Sequence, residues 1–274
     1  MAKPNIVDKK YNFLRPIKTE GLIRLGGKED GGYIVDKNII NECDTLISFG
    51  LGPQWTFELD YIKRNKNLSI HIYDHTVSSL PYLKEIWKYL RRFLTLRVSY
   101  KAVKNRINYY KAYKNFLNLS NVKFFGEKIT VPIKKKIDAD IKKAFSRINT
   151  NAKVILKSDI EGSEYEIIDQ ILEHSEKIKM LIFEFHWIDK KEKEFIDSMK
   201  KLQSRYEIIH IHGNNHWVSG NPPVKNNLPV VLEITLLNKN LIKNKDGYIS
   251  DFPVAGLDFP NNPYLEDISF SFRD

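Results

Sequence analysis

The chain has one cysteine in 274 residues, no long apolar run, and an incomplete set of the glycines that mark dinucleotide sites. Cys43 has no partner for an internal disulfide and rules out a cysteine-ligated zinc cluster, so it reads as a small residue ahead of a buried strand. No stretch approaches the ~20 apolar residues of a membrane span. The opening Met1-Ala2-Lys3-Pro4-Asn5 has no signal-peptide core, and a cytoplasmic protein is expected. There is no internal repeat and no low-complexity linker. With 42% hydrophobic and 28% charged residues, the composition fits one α/β domain over residues 1–274 that buries a substantial core.

The most informative stretch begins at Thr45-Leu46-Ile47-Ser48-Phe49, an apolar run short enough to be a buried strand. It ends in Gly50-Leu51-Gly52, and a helical pattern (Phe57, Leu59, Tyr61, Ile62) follows at once. Glycine accepts positive φ and carries no Cβ to block a ligand that approaches the backbone. A second strand, Ser69-Ile70-His71-Ile72-Tyr73, ends at Asp74, a little over the ~20 residues after the glycine turn expected of a ribose-binding carboxylate. Trp55 stands where a dinucleotide site wants its third glycine. That counts against a nicotinamide-dependent oxidoreductase and favours a nucleoside cofactor without a pyrophosphate, for which S-adenosylmethionine qualifies.

The net charge of +10 is concentrated. From Pro81 to Asn118, Lys84, Lys88, Arg91, Arg92, Arg97, Lys101, Lys104, Arg106, Lys111 and Lys114 face Glu85 as the only acid. Leu83, Ile86, Trp87, Leu90, Phe93 and Leu94 recur there at helical spacing. This basic helical insertion, about 81–118, has several uses: a solvated face, a lid over an anionic small-molecule acceptor, a dimer arm in a homo-oligomer, or a membrane-surface patch. Tyr100, Tyr109, Tyr110 and Tyr113 interleave with the basic residues, but no nucleic-acid module is recognisable, and nucleic acid is disfavoured as a partner.

Further on, strands alternate with helices: Val122–Phe125, Val154–Leu156 and Met180–Phe183 are apolar runs, and the spacing predicts a mostly parallel sheet covered on both faces. Tyr206–His212 and Val230–Leu237 are expected to complete it with an antiparallel C-terminal edge. The turn-rich tail from Asp246 is expected to wrap the surface without a core of its own. In such a sheet ligands lie outside the carboxyl ends of the strands. The polar residues there are Gly50 and Gly52, Asp74 and His75, Asp159 and Glu161, Glu184 and His186, and His212 with Asn214 and Asn215. Each also has an ordinary structural use: Asp159 as a helix cap, Glu164 in a solvated first turn, His186 as a hydrogen-bonded core residue.

Ser48-Phe49-Gly50-Leu51-Gly52 with Phe57-Glu58, Tyr73-Asp74, Lys157-Ser158-Asp159-Ile160-Glu161-Gly162-Ser163-Glu164 and Glu184-Phe185-His186 together resemble the FkbM-type family of S-adenosylmethionine-dependent methyltransferases. Asp30-Gly31-Gly32-Tyr33 and His212-Gly213-Asn214-Asn215 resemble it too, so the likeness runs from about Gly26 to Leu237. Ser158 departs from the larger apolar residue often found there, and the basic insertion lies outside the pattern. The resemblance implies a Rossmann-like, seven-stranded methyltransferase sheet. It also implies O-methylation of a sugar or a phosphorylated or nucleotide-linked precursor in cell-surface polysaccharide (capsule or lipopolysaccharide) assembly, or methylation of a phosphate- or phosphoramidate-type substituent of such a precursor. A nucleic-acid or anionic-membrane binding module is the alternative of another class.

On this reading Asp74 grips the ribose with His75 beside it, Gly50 and Gly52 admit the methionine end, and Glu161 and the ledge Asp30-Gly31-Gly32-Tyr33 close over the cofactor. Asp159 lies where cofactor and acceptor meet. A hydroxyl becomes a useful nucleophile only when its proton has somewhere to go. His186 is the first choice of base and His212 the second, with Glu184 orienting one of them. No metal ligands are assigned; a divalent cation on Asp159, Glu184 and a histidine is the alternative way to lower the acceptor's pKa.

Overall fold

The computed structural model describes residues 4–216, 224–225, 227–243 and 245–273. Seven strands form the central sheet: β1 (Thr45–Phe49), β2 (Ser69–Tyr73), β3 (Val122–Phe125), β4 (Val154–Ser158), β5 (Ile178–Phe185), β6 (Tyr206–Gly213) and β7 (Leu232–Asn238). Across the sheet the order is β6-β7-β5-β4-β1-β2-β3, and β7 runs antiparallel to both its neighbours. This is the expected Rossmann-like, seven-stranded, mostly parallel sheet. Its antiparallel C-terminal part is present, with β7 slotted one place in and β6 at the rim.

Besides a single helical turn at Lys37–Ile40, the helices are α1 (Thr56–Arg64), α2 (Ser79–Leu94), α3 (Tyr100–Leu117), α4 (Ile141–Phe145), α5 (Ile168–Glu173) and α6 (Glu192–Leu202). Every residue of β1 and β4 is buried, as near-continuous apolar strands demand when both faces are covered. On one face Phe49, Leu156, Phe183, Phe185 and Ile234 pack with Phe145, Ile171 and Met199 of α4, α5 and α6. On the other, Leu46, Ile72, Ile155 and Ile182 pack with Phe57 and Tyr61 of α1 and Tyr113 and Phe116 of α3. Each such side chain removed from water is worth about 1.5–3 kcal/mol, so the sheet is the stiffest part of the molecule.

The register sets the site. Phe49 lies opposite Tyr73 on one side and Ser158 on the other, and Ser158 opposite Phe183. The residues that follow each strand partner therefore form one row: Asp74, Gly50 and Asp159 just past their strands, and Glu184 still inside β5. Glu184 is opposite Glu233, and Glu233 opposite His212, which extends the row to the rim.

Between β2 and β3 the chain forms a helical hairpin, α2 and α3. Ser78 and Ser99 cap its helices through their hydroxyls. α3 is the better anchored: Trp55 packs on Tyr109, Tyr113 and Phe116, whereas α2 reaches the core through Tyr82, which stacks on Tyr113. No residue of α2 is buried; Trp87 is 66% exposed and Leu94 78%. Among the described residues no helix is long and apolar enough to cross a membrane.

The tail does more than wrap. Phe252, Phe270 and Phe272 enter the core of the sheet's first face, and Phe270–Ser271 pairs with both Asn5–Ile6 and Asp251–Phe252. Aromatic residues spaced among prolines and acids give no periodic signal, so the sequence pattern reveals a turn-rich tail and not its anchors.

Candidate active site

The glycine turn is built by charge as well as by shape. Gly50 and Gly52 both have positive φ, 77° and 60°. A Cβ on Gly50 would lie 1.7 Å from the Asp159 carbonyl oxygen, whereas one on Gly52 meets nothing within 4 Å. Gly50 is therefore required by the fold, while Gly52 leaves open space. Lys157, buried under the turn, donates to the Gly50 carbonyl at 2.7 Å.

Asp74 lines the cleft, but its carboxylate is already engaged. Oδ2 accepts from the Leu51 and Gly52 amides at 2.9 and 3.0 Å. Oδ1 accepts from the Thr76 amide and hydroxyl, both at 2.7 Å, and from the Val77 amide at 3.2 Å. Burial alone would raise its pKa; the bonds from Thr76, Gly52 and Leu51 outweigh it and hold the carboxyl below its ordinary range. A carboxylate has about four lone-pair sites, so Asp74 is saturated by its own chain. In this arrangement the carboxylate shapes the turn; His75 and Lys128 are exposed wall residues, and Glu161 faces His186 at 3.7 Å.

Two hollows flank Asp159. The first, of about 170 Å³, is lined by Gly50, Gly52, Asp74, His75, Asp159 and Glu161, with Glu127 to Ile129 at its far end. Past Gly52 and Thr76 it adjoins a hollow of about 380 Å³ walled by Pro53, Tyr82 and Tyr109. Together they reach the ~300–1,000 Å³ of small-ligand sites. The second, also about 170 Å³, is an acidic basin lined by Asp30, Asp159, Glu161, Glu184, His186 and Asn214. Asp159 and Glu161 belong to both. Glu161 has φ 56° and Gly162 φ 97°, and a Cβ on Gly162 would come within 2.9 Å of the Trp187 indole. The turn after β4 is thus a constrained one held against Trp187, where uncommon backbone geometry marks functional loops.

Asp30 and Tyr33 belong to this basin rather than to the cofactor cleft. Tyr33, 2% exposed, places its hydroxyl 3.1 Å from both Asp159 Oδ2 and Glu184 Oε2. A phenol has one proton to give, so the second contact needs a protonated carboxyl. Glu184 fits: burial, then the charge of Asp159, pushes its pKa well above the usual range, and Asn214 Nδ2 donates to its other oxygen at 2.8 Å. Gly31 and Gly32 shape the ledge, the first against Gln54 and the second against Arg24 and the Gly27 carbonyl.

His186 sits at the back of the basin. Its Nδ1 donates to Glu164 Oε1 at 3.0 Å. Glu164 is fully buried, not in a solvated turn, and also accepts from the Ile160 amide. Burial alone would lower the imidazole's pKa; the bond to Glu164 and the charges of Glu184, Glu164 and Asp159 outweigh it and raise the value to about 10. An imidazole so held carries its proton at neutral pH, so the base role expected of His186 requires that proton to leave first.

His212 lies outside both hollows. It is 1% exposed, with Nδ1 3.2 Å from Glu233 and Nε2 3.1 Å from Asp267. With both ring nitrogens bound to carboxylates, it ties the tail to the sheet and is no candidate base; His210 and Asp258 form a second tie at 3.1 Å. Burial alone would lower the His212 pKa, but the bonds to Asp267 and Glu233 and the nearby charge of Asp258 raise it to about 10. A folded-state pKa above the unfolded ~6.5 gives stability that is complete below pH ~6.5 and lost as pH rises through about 10. The thermal midpoint is therefore expected to fall between pH 7 and pH 10, and to fall less steeply in His212→Gln, as read by differential scanning fluorimetry.

No protein-family model matches the chain, and no curated protein matches it. Among solved structures, it is similar to precorrin-6y C5,15-methyltransferase from Geobacter metallireducens, at 9% identity over 86% of this chain and 100% of that one with a TM-score of 0.37. A chain of the fibrillarin/Nop5p complex is 10% identical over 71% and 72%, TM-score 0.38. The mitomycin 7-O-methyltransferase is 9% identical over 73% and 50%, TM-score 0.31. At such identities and scores none of them bears on the chemistry of this chain.

Proposed function

We propose that the protein is an S-adenosylmethionine-dependent O-methyltransferase of the FkbM type. Its acceptor is a hydroxyl of a sugar or of a phosphorylated or nucleotide-linked precursor in cell-surface polysaccharide assembly, met in the cytoplasm. The observation that carries the reading is the pair of hollows that meet at Asp159, one beside a glycine turn and one walled by polar groups. Bound in the first, the cofactor supplies a methyl group activated by its sulfonium. Asp159, on the shared wall, is placed to take the proton that an acceptor hydroxyl in the second hollow would release on methylation. Tyr33 fixes the carboxylate, and Lys157 places a positive charge 3.8 Å from its Oδ2. Holding the two reactants in line is worth ~7–11 kcal/mol in well-oriented intramolecular reactions.

The basin tells against an acceptor that presents an anion to Asp159, because Asp30, Glu161 and Glu184 also face it. Its reacting end is a neutral diol or hydroxyl. Nor does the hairpin bring its arginines there: Arg91 and Arg92 line a separate groove of about 840 Å³ with Leu83, Trp87 and Leu94. Calorimetry with S-adenosylmethionine, its demethylated product and NAD tests the reading; micromolar binding of the first two is expected, and binding of NAD alone would sink it.

The exposed apolar and basic face of α2 favours one further reading, attachment to an anionic membrane surface. Arg91→Glu with Arg92→Glu is expected to abolish sedimentation with phosphatidylglycerol vesicles and to leave cofactor affinity unchanged; equal sedimentation of variant and native protein removes it.

A further inference from the structure

We infer that the acidic basin is a divalent-cation site in which Asp159, Glu184 and His186 are the protein ligands. The inference deepens the proposed methyl transfer and rests on it for the cation's purpose, though not for the site's existence. The three donor atoms lie within 4.8 Å of one another. His186 Nε2 is 3.6 Å from Glu184 Oε1 and 3.9 Å from Asp159 Oδ1. Such separations suit donors on one face of an ion with bonds of about 2.0–2.6 Å, after small side-chain adjustment.

The imidazole supplies the independent sign. His186 is 4% exposed, yet Nε2 makes no hydrogen bond among the described residues and points at three carboxylates, the third being Glu161 at 3.7 Å. Glu164 holds the opposite ring nitrogen. A carboxylate behind a histidine whose far nitrogen faces a polar cavity is the arrangement that orients metal ligands. Asn214 and Tyr33 steady Glu184 in the same way. On binding, the cation takes the place of the Nε2 proton and of the proton on the Glu184 carboxyl, and both leave to solvent.

Charge points the same way. Lys157 is the one lysine paired with Asp159 among the described residues; it lies 3.8 Å from Oδ2, hydrogen-bonds the Gly50 carbonyl, and leaves the charges of the other acids unbalanced. Two carboxylates and one imidazole favour a hard ion such as Mg²⁺ or Mn²⁺ over thiophilic metals. The adjoining group of Asp30, Glu184 and Glu233 has no nitrogen ligand, and Asn261 Nδ2 already bridges two of its acids. The open coordination positions face the basin, where vicinal hydroxyls of an acceptor would chelate and lose a proton more readily.

The test is titration of the chelator-treated full chain with MnCl₂, followed by loss of the free Mn²⁺ electron paramagnetic resonance signal, with no cofactor or acceptor present. One saturable site per chain is expected. Glu184→Gln and His186→Ala should each weaken it more than tenfold, and Glu164→Gln about ten- to hundredfold through the imidazole, with circular dichroism confirming the fold. No binding up to millimolar Mn²⁺, or equal binding by folded Glu184→Gln and His186→Ala, overturns the inference. Calorimetry with S-adenosylmethionine in chelator separates the two readings: cofactor binding without Mn²⁺ binding sinks only the metal site, and Mn²⁺ binding without cofactor binding sinks only the methyltransferase.

Discussion

Asp159→Asn is expected to lower the turnover number by about 10²- to 10⁴-fold, the usual range for removing a positioned acid–base group, while cofactor affinity stays within about threefold of native, since one altered side-chain contact is worth ~0.5 kcal/mol. The exchange keeps the volume and the contact with Tyr33 but leaves no oxygen able to take a proton. The measurement is demethylated cofactor released per chain, with an acceptor found by screening sugar nucleotides. Asp159 is the one side chain on the wall of both hollows that also hydrogen-bonds Tyr33. If the variant turned over at the native rate, proton removal would belong elsewhere in the basin.

The sequence pattern makes the row at the strand ends readable, because buried parallel strands announce themselves by unbroken apolar runs and the next residue must leave the sheet. Gly50, Asp74, Asp159, Glu184 and His186 were all found that way. What each one does was harder to read, for a specific reason: a residue's role depends on which partners occupy its lone pairs. Asp74 is a saturated strut, and His212 is neutralised from both sides, one partner arriving 55 positions later in the chain. Tyr33, which its motif places in a cofactor ledge, bridges the two central acids. Glu164 reads as a solvated first-turn residue and Lys157 only as part of a motif, because charged residues are normally solvated, yet both are buried. The only cue to Glu164 was its place five residues after Asp159, and the cue to Lys157 was its position inside an apolar run.

Gly50→Ala and Gly52→Ala are expected to fail in different ways, although both replace a left-handed glycine in one turn. At Gly50 the added carbon would lie 1.7 Å from a carbonyl oxygen of the turn after β4. Neither side can yield, since Phe49 accepts from the Asp159 amide at 2.9 Å and Tyr73 from the Gly50 amide at 3.0 Å. The loss should exceed about 4 kcal/mol, in the range kept for overpacked cores and strained backbone. That is most of a typical domain's stability, so the variant should accumulate as aggregate or melt below 37 °C. At Gly52 no atom stands within 4 Å, and the cost is the αL penalty alone, about 1–2 kcal/mol. The new methyl projects into the space between the two hollows that Gly52 lines. A folded Gly52→Ala chain should therefore bind S-adenosylmethionine at least about tenfold more weakly, as for a lost close approach of ligand to backbone. Denaturant titration and calorimetry on the pair separate the two roles. A stable Gly50→Ala would mean that the β1 and β4 turns can move apart, and native cofactor affinity in Gly52→Ala would mean that the ligand does not cross this turn.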